Sequence, residues 1–397
     1  MYLILTAFII WCLITFKDLW SSGYNSLLNP FFWTSLLFTL YFIVPSFFVE
    51  QINYYFFWNL ALDDITYSNL MVSIYSCLLS LFYLVHSSKS FTLKYKVTSN
   101  FLTSNLMKYL WVVIFGYLLY VLFLNIRDGA FLNAFMYDNE QSDPYKLKNI
   151  AYIFIPISTY VFWRVKKYWV FLPNVIIMVL DLIAGSRTIA MIALIPIILN
   201  VCYYNKRLYV LPALTLLLGM LTLGVLRSDN IVSDVPWYLN AIGEFRETYI
   251  TLPLYISNSD YVGNWSFFEI SSALGLGLLQ PFRAEILSNY TFAGYWIASD
   301  VARGYGLGSN LLIEAMYYGH INMLFIMLFF LLFVSIFYRV VLSVNLQHGL
   351  ALVCFFVIFV RLIIREGFYP NLGLFFFVLS FYWVPIALLL KIKINNN

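Results

Sequence analysis

The sequence predicts an all-α fold, a polytopic bundle of about eleven membrane helices with one large loop that holds short helices. Three observations carry that prediction. Hydrophobic residues make up 62% of the 397 and charged residues only 11%, with a mean hydropathy of +0.82, whereas soluble domains hold about a quarter charged residues. The apolar residues come in unbroken runs and lack the two-residue alternation of an outer-membrane barrel strand. Aromatic residues reach 20% and include many Tyr and Trp, as suits a chain with many membrane–water interfaces.

A helix needs about 17 to 25 apolar residues to cross a bilayer. Runs of that order place eight helices in an N-terminal block, 1–226, at 2–16, 31–49, 67–85, 109–125, 150–163, 168–184, 188–204 and 208–226. The large loop is 227–310, and a C-terminal block, 311–397, holds three more helices at 311–338, 349–364 and 372–390. The first run lacks basic residues at its start and a small-residue cleavage site, so it reads as a retained helix and not a signal peptide. Cys12, Cys77, Cys202 and Cys354 lie inside apolar runs, far apart, and read as packing residues.

Basic residues orient the bundle, because cytoplasmic connections are enriched in Lys and Arg. The connections holding Lys17, then Lys89 to Lys108, then Arg164 to Lys167, then Lys206 and Arg207, then Arg339, then Lys391 and Lys393 alternate with the others and contain one acid, Asp18. Those are expected inside. The N-terminus and the 227–310 loop are then outside and the C-terminus is cytoplasmic. The inner basics are mostly Lys, whereas the outer ones include Arg127, Arg187, Arg246, Arg283, Arg303, Arg361 and Arg365. A guanidinium grips phosphate or carboxylate in two places and tolerates partial burial, so outer arginines at membrane boundaries point to an anionic ligand. Structural pairing with nearby acids is the competing reading, and it is the favoured one for Arg127 and Arg303. Arg187 sits with Asp181 in a hairpin so tight that both charges stay near the hydrocarbon edge, which implies mutual pairing or a ligand in a cavity. Arg361 and Arg365 are four apart and share one helical face.

The large loop holds four arginines, eight acids and no lysine. Asp234 and Pro236 mark a helix start, after which Tyr238, Ile242, Phe245, Tyr249 and Leu252 form an apolar stripe opposite Asn240, Glu244, Glu247 and Thr251. Two arrangements fit: a helix in the headgroup plane with Arg246 at phosphate depth, or a loop helix packed on the bundle. The segment 265–279 is short and glycine-broken, which suggests a re-entrant or interfacial piece. Gly304 to Gly308 precede Ser309 and Asn310, either of which can cap the next helix and aim its first amides at an anion. That helix carries Glu314, Tyr317 and His320. No zinc-protease, phosphate-loop or paired-cysteine motif is present, so no metal, cofactor or nucleic acid is expected. Asp63-Asp64 and the acids at 138–143 read as solvated faces, and His86, His320 and His348 as ordinary histidines, His320 neutral and hydrogen-bonded within its helix.

Ala184-Gly185-Ser186-Arg187-Thr188, then Gly243-Glu244-Phe245-Arg246, then Gly306 to Ser309 with Glu314, Tyr317, Tyr318 and Gly319, then Arg361 with Arg365 resemble, in that order, the Wzy-type O-antigen polymerases. Arg283 and Gly294 fit an Arg-x10-Gly spacing associated with that family. The resemblance implies a GT-C-like, metal-independent glycosyltransferase of the bacterial inner membrane that joins undecaprenyl-diphosphate-linked oligosaccharide repeats on the periplasmic side. It implies a flippase and a chain-length regulator as neighbours in the same membrane. Arg187, Arg246, Arg283, Arg361 and Arg365, with Ser309 and Tyr317, would bind the diphosphate and sugars. Glu314 would take the proton of the attacking hydroxyl, with Glu247, Asp300 and His320 behind it. An O-antigen ligase and a lipid-linked-sugar flippase are the alternatives. The first is disfavoured by a large loop without histidine, the second by charges gathered at one face.

The lysine sorting predicts that a reporter active only in the periplasm works when fused after Asn264 and is silent when fused after Lys166. The reverse pattern would invert the orientation.

Overall fold

The computed structural model describes residues 2–86, 88, 101–129, 145–183, 188–208, 235–257, 274–275, 310–316 and 320–385. Among them every regular element is helical. Five helices are long and apolar enough to cross a membrane, Tyr2–Leu28, Leu62–Val85, Asn105–Arg127, Leu324–Ser343 and Leu346–Glu366; a bent pair, Pro30–Ser46 with Val49–Phe56, makes a sixth. Tyr168–Leu182, Ile189–Asn205 and Phe368–Phe381 are apolar but shorter. The chain is therefore a helical protein of membrane character. The predicted span at 208–226 lies outside the described residues apart from Leu208.

Two compact units are built from interleaved parts of the chain, residues 1–90, 214–339 and 359–377 in one, and 91–213, 340–358 and 378–397 in the other. In the first unit α1 (Tyr2–Ser22) packs along α4 (Leu62–Val85). Between them in sequence, α2 (Pro30–Phe38) runs through a π turn (Thr39–Ile43) to Ser46, and then bends by 61° into α3 (Val49–Phe56). α2 begins where Pro30 occupies its first turn and the Asn29 side chain accepts from the Phe31 N–H, two ordinary helix-start devices. Asp63 and Asp64 lie in the first turn of α4, where the helix dipole favours negative charge, in keeping with a solvated role.

In the second unit α5 (Phe101–Arg127), α6 (Leu147–Val165), α7 (Leu172–Ile183) and α8 (Thr188–Asn205) pack on one another. Buried polar side chains link these helices: Trp163 Nε1 donates to Asn200 Oδ1 at 2.8 Å, and Asn174 Nδ2 to the Ala193 carbonyl at 2.9 Å, while Asn174 Oδ1 is buried without a hydrogen-bond partner. Asp181, 2% exposed, accepts the Ala190 N–H at 2.7 Å and so caps the first turn of α8. Arg127 pairs with its exposed neighbour Asp128, as the structural reading expected.

The rest of the first unit comprises α9 (Trp237–Ala241), α10 (Gly243–Ser257), α11 (Leu311–Met316), most of α12 (His320–Ser343), the last turns of α13 (Leu346–Glu366) and α14 (Phe368–Val378). α10 decides between the two readings of the loop helix. Tyr249, Ile250, Thr251, Leu252 and Tyr255 are all fully buried, and the helix packs on α4, the π turn and α11. It is packed within the unit, as the second arrangement expects.

One end of the unit is tied by a carboxylate. Asp18 of α1, 8% exposed, accepts from Tyr83 Oη at 2.8 Å, Ser88 Oγ at 2.6 Å and Ser22 Oγ at 3.3 Å. Asn29 Nδ2 in turn donates to Ser88 Oγ and to the His86 carbonyl. Removing the acceptor strands buried hydroxyls, each worth about 1–3 kcal/mol. Asp18→Ala should therefore lower unfolding free energy by about 2–4 kcal/mol, and Asp18→Asn by less, read from thermal unfolding in detergent. Equal, negligible losses would show that this end is held by apolar packing.

Candidate functional site

The first unit contains a set of buried polar groups that an apolar bundle does not need for packing. α10 supplies the centre. Arg246, 8% exposed, donates from Nε to Glu247 Oε1 at 3.0 Å and from Nη1 to the Leu239 carbonyl at 3.1 Å, and its Nη2 also reaches Glu247 Oε1. Its guanidinium carbon lies 3.7 Å from the centre of the Phe56 ring, a cation–π contact with the last residue of α3. Glu247 uses one oxygen in this pair; Oε2 is buried without a hydrogen-bond partner. A carboxylate oxygen so placed is an acceptor waiting for a donor, because leaving it unmatched is unfavourable in a low-dielectric interior.

Three other anchors hold α10. Tyr249 Oη donates to Asn69 Oδ1 at 2.6 Å, and burial raises the phenol above its ordinary pKa, so it remains a donor. Asn310 is the helix cap that the sequence left open between it and Ser309: its Oδ1 accepts from the Leu312 and Ile313 amides at 3.0 and 2.9 Å. The same side chain donates through Nδ2 to the Thr248 carbonyl and to Thr251 Oγ1, both at 2.9 Å, joining α11 to α10. Tyr41, inside the π turn, meets the Phe245 ring edge-on at 4.9 Å.

Glu314 is fully buried in α11. Its Oε2 accepts from the Phe368 N–H at 2.6 Å and the Tyr369 N–H at 3.0 Å, so the carboxylate caps α14. Gly367 makes this possible. Its φ of +107° is a conformation that side chains resist, and a Cβ there would overlap Glu314 Oε1. The carboxylate sits where any other residue would place a methyl. This break between α13 and α14 falls directly after Arg365 and Glu366, which pair at 3.1 Å at the partly exposed end of α13. One turn earlier Arg361, 3% exposed, donates from Nε to Tyr41 Oη at 3.1 Å.

Of the site residues expected from sequence, Arg246, Glu247, Glu314, Arg361 and Arg365 thus fall in one unit. Two of them, Arg246 and Glu247, are in direct contact. Arg361 reaches α10 by way of Tyr41 and Phe245. His320 is the first residue of α12. Arg187, Arg283, Asp300, Ser309 and Tyr317 lie outside the described residues, as does the segment 265–279 apart from residues 274–275. Tyr41, Phe56 and Gly367 were not singled out in the sequence. Gly367 carried a usable signal, since a glycine at the end of an apolar helix is a common stop; Tyr41 and Phe56 stand in apolar, aromatic runs and carried none. Comparison of the chain with protein-family models, with curated proteins and with solved structures finds no match. Fold and site define a class all the same: a helical membrane protein with a buried arginine–carboxylate pair and further buried arginine in the same unit.

Glutamine at 314 keeps an oxygen for the two amides and loses the charge–dipole attraction, about 0.3–1 kcal/mol. Glu314→Gln should therefore unfold close to wild type, Glu314→Ala should lose about 1–3 kcal/mol, and Gly367→Ala should lose at least as much. A glutamine variant as unstable as the alanine one would contradict the capping role.

Proposed function

We propose that this chain polymerises oligosaccharide repeat units carried on undecaprenyl diphosphate, as the resemblance to the Wzy-type polymerases suggests. The observation that carries the reading is the Arg246–Glu247 pair on a buried helix, with one carboxylate oxygen unpartnered. The reaction needs that combination. An acceptor sugar hydroxyl attacks the anomeric carbon of the donor, the bond from that carbon to the diphosphate oxygen breaks, and the lipid diphosphate departs with the bonding electrons. Charge grows on the leaving diphosphate, where an arginine held in a water-poor site stabilises the transition state. The hydroxyl proton goes to Glu247 Oε2. Arg246 then has two roles in sequence, holding Glu247 in place before the reaction and facing the leaving group during it. Arg361 and Arg365, with Arg187 and Arg283, complete the anion grip in this proposal. Glu314 serves as a positioning residue through its cap, and the proton acceptor shifts from Glu314 to Glu247.

In the same reading the chain crosses the bacterial inner membrane eleven times in a GT-C-like arrangement, with the 227–310 loop in the periplasm and the C-terminus in the cytoplasm. The flippase that delivers the repeats and a chain-length regulator are its neighbours. The short apolar helices Tyr168–Leu182, Ile189–Asn205 and Phe368–Phe381 supply three of the additional crossings.

Deleting the gene should leave lipopolysaccharide cores bearing one repeat each, seen on a gel of surface polysaccharide and reversed by the wild-type gene. A ligase would instead leave long polymer on its lipid carrier and bare cores, and a flippase bare cores alone. A normal ladder without the gene would refute polymerisation.

A further inference from the structure

Tyr41 occupies an unusual place. Thr39–Ile43 is a π turn inside an otherwise α-helical, apolar stretch, and such single turns are less favourable than continuous α-helix and recur where a side chain is being re-aimed. The extra residue rotates the later turns relative to a regular helix. Tyr41 is 1% exposed, and its ring stands at 89° to Phe245, with centroids 4.9 Å apart. Its hydroxyl accepts the Nε–H of Arg361 at 3.1 Å.

That choice of nitrogen matters. An arginine gripping a phosphate group end-on uses Nη1 and Nη2, so a bond at Nε is compatible with the grip and orients the guanidinium plane. A charged side chain at 3% exposure within a membrane-spanning helix is unfavourable by up to about 2.5–3.5 kcal/mol, and the π turn is itself less favourable than regular helix. Both are retained at one contact. Phe245, against the tyrosine ring, is followed directly in sequence by Arg246 and Glu247.

We propose that Tyr41 is a positioning residue: its hydroxyl orients Arg361 for a diphosphate, and its ring keeps that arginine in register with Arg246 and Glu247 through Phe245. This rests on the polymerase reading for the identity of the anion. Tyr41 touches neither the reacting carbon nor the proton; it acts through Arg361.

The test is a double-mutant cycle on the full-length chain in lipid vesicles. Farnesyl diphosphate is titrated and followed by intrinsic tryptophan fluorescence, with farnesyl monophosphate and inorganic pyrophosphate as comparison probes. Tyr41→Phe keeps the ring and its edge contact and removes the hydroxyl. It should weaken farnesyl diphosphate binding on the order of tenfold, the scale of one lost hydrogen bond to a charged group. Arg361→Lys should weaken binding at least as much. Adding Tyr41→Phe to Arg361→Lys should then change affinity less than twofold, because in this proposal the hydroxyl affects binding through the guanidinium. The thermal unfolding midpoint of Tyr41→Phe should match wild type. Additive losses, or an unchanged affinity in Tyr41→Phe while Arg361→Lys is impaired, would overturn the positioning role and leave the polymerase reading standing. Loss of the folded chain on removing one hydroxyl would make Tyr41 a folding residue and overturn it as well. If wild type does not distinguish farnesyl diphosphate from the monophosphate, or binds inorganic pyrophosphate as tightly as the lipid, the lipid-diphosphate reading itself fails, and the proposal with it.

Discussion

The amide of Asn310 holds the first unit together at its most demanding point. α10 carries arginine, glutamate and two threonines into an apolar bundle, where a buried polar atom is unfavourable unless a hydrogen-bond partner meets it. Asn310 meets that demand from both ends of its side chain. Its oxygen caps α11, and its nitrogen holds the Thr248 carbonyl and the Thr251 hydroxyl of α10. With α10 fixed, Arg246 meets the Phe56 ring, Tyr249 meets Asn69, and Phe245 meets Tyr41.

Glu314 repeats the device one turn later. Its carboxylate closes the start of α14 and fixes the break at Gly367, where α13 must end. Arg361 and Arg365 lie on the last turns of α13, directly before that break. Two side chains at the short helix α11 thus hold the helix that carries Arg246, through Asn310, and the helix that follows Arg361 and Arg365, through Glu314. A chain that keeps arginines among apolar helices has to hold them rigidly, since a charge free to move would draw in water.

Much of this was legible in the residues. Arg361 and Arg365 share a face because they are four apart in a helix, and α10 was visible from its apolar spacing. The orientation of α10 was not, because Thr251 on its polar side reads as solvent-facing; in the fold its hydroxyl donates to the Thr248 carbonyl at 2.7 Å, which lets a polar face be buried. The role of Glu314 was hidden by distance, since its partners lie more than fifty residues along the chain. Spacing within one helix cannot foresee them. The π turn was missed in Phe38 to Phe48, which reads as an uninterrupted span, although Pro45 carried a usable signal: it has no N–H for the carbonyl four residues earlier, that of Tyr41. The count of eleven crossings was drawn from run lengths alone, and among the described residues Tyr168–Leu182, Ile189–Asn205 and Phe368–Phe381 fold into helices of 10–17 residues, shorter than a full crossing ordinarily needs.

The central claim is that the Arg246–Glu247 pair performs glycosyl transfer with a lipid diphosphate as leaving group. Its most direct measurement uses the purified chain in vesicles with a synthetic lipid-diphosphate-linked repeat, counting glycan length and released lipid diphosphate together. Wild type should lengthen the glycan and release one lipid diphosphate per bond formed, and Glu247→Gln, folded to the same degree, should do neither at more than a small fraction of that rate. Elongation at the wild-type rate by Glu247→Gln, or no elongation by the wild-type chain, would contradict it.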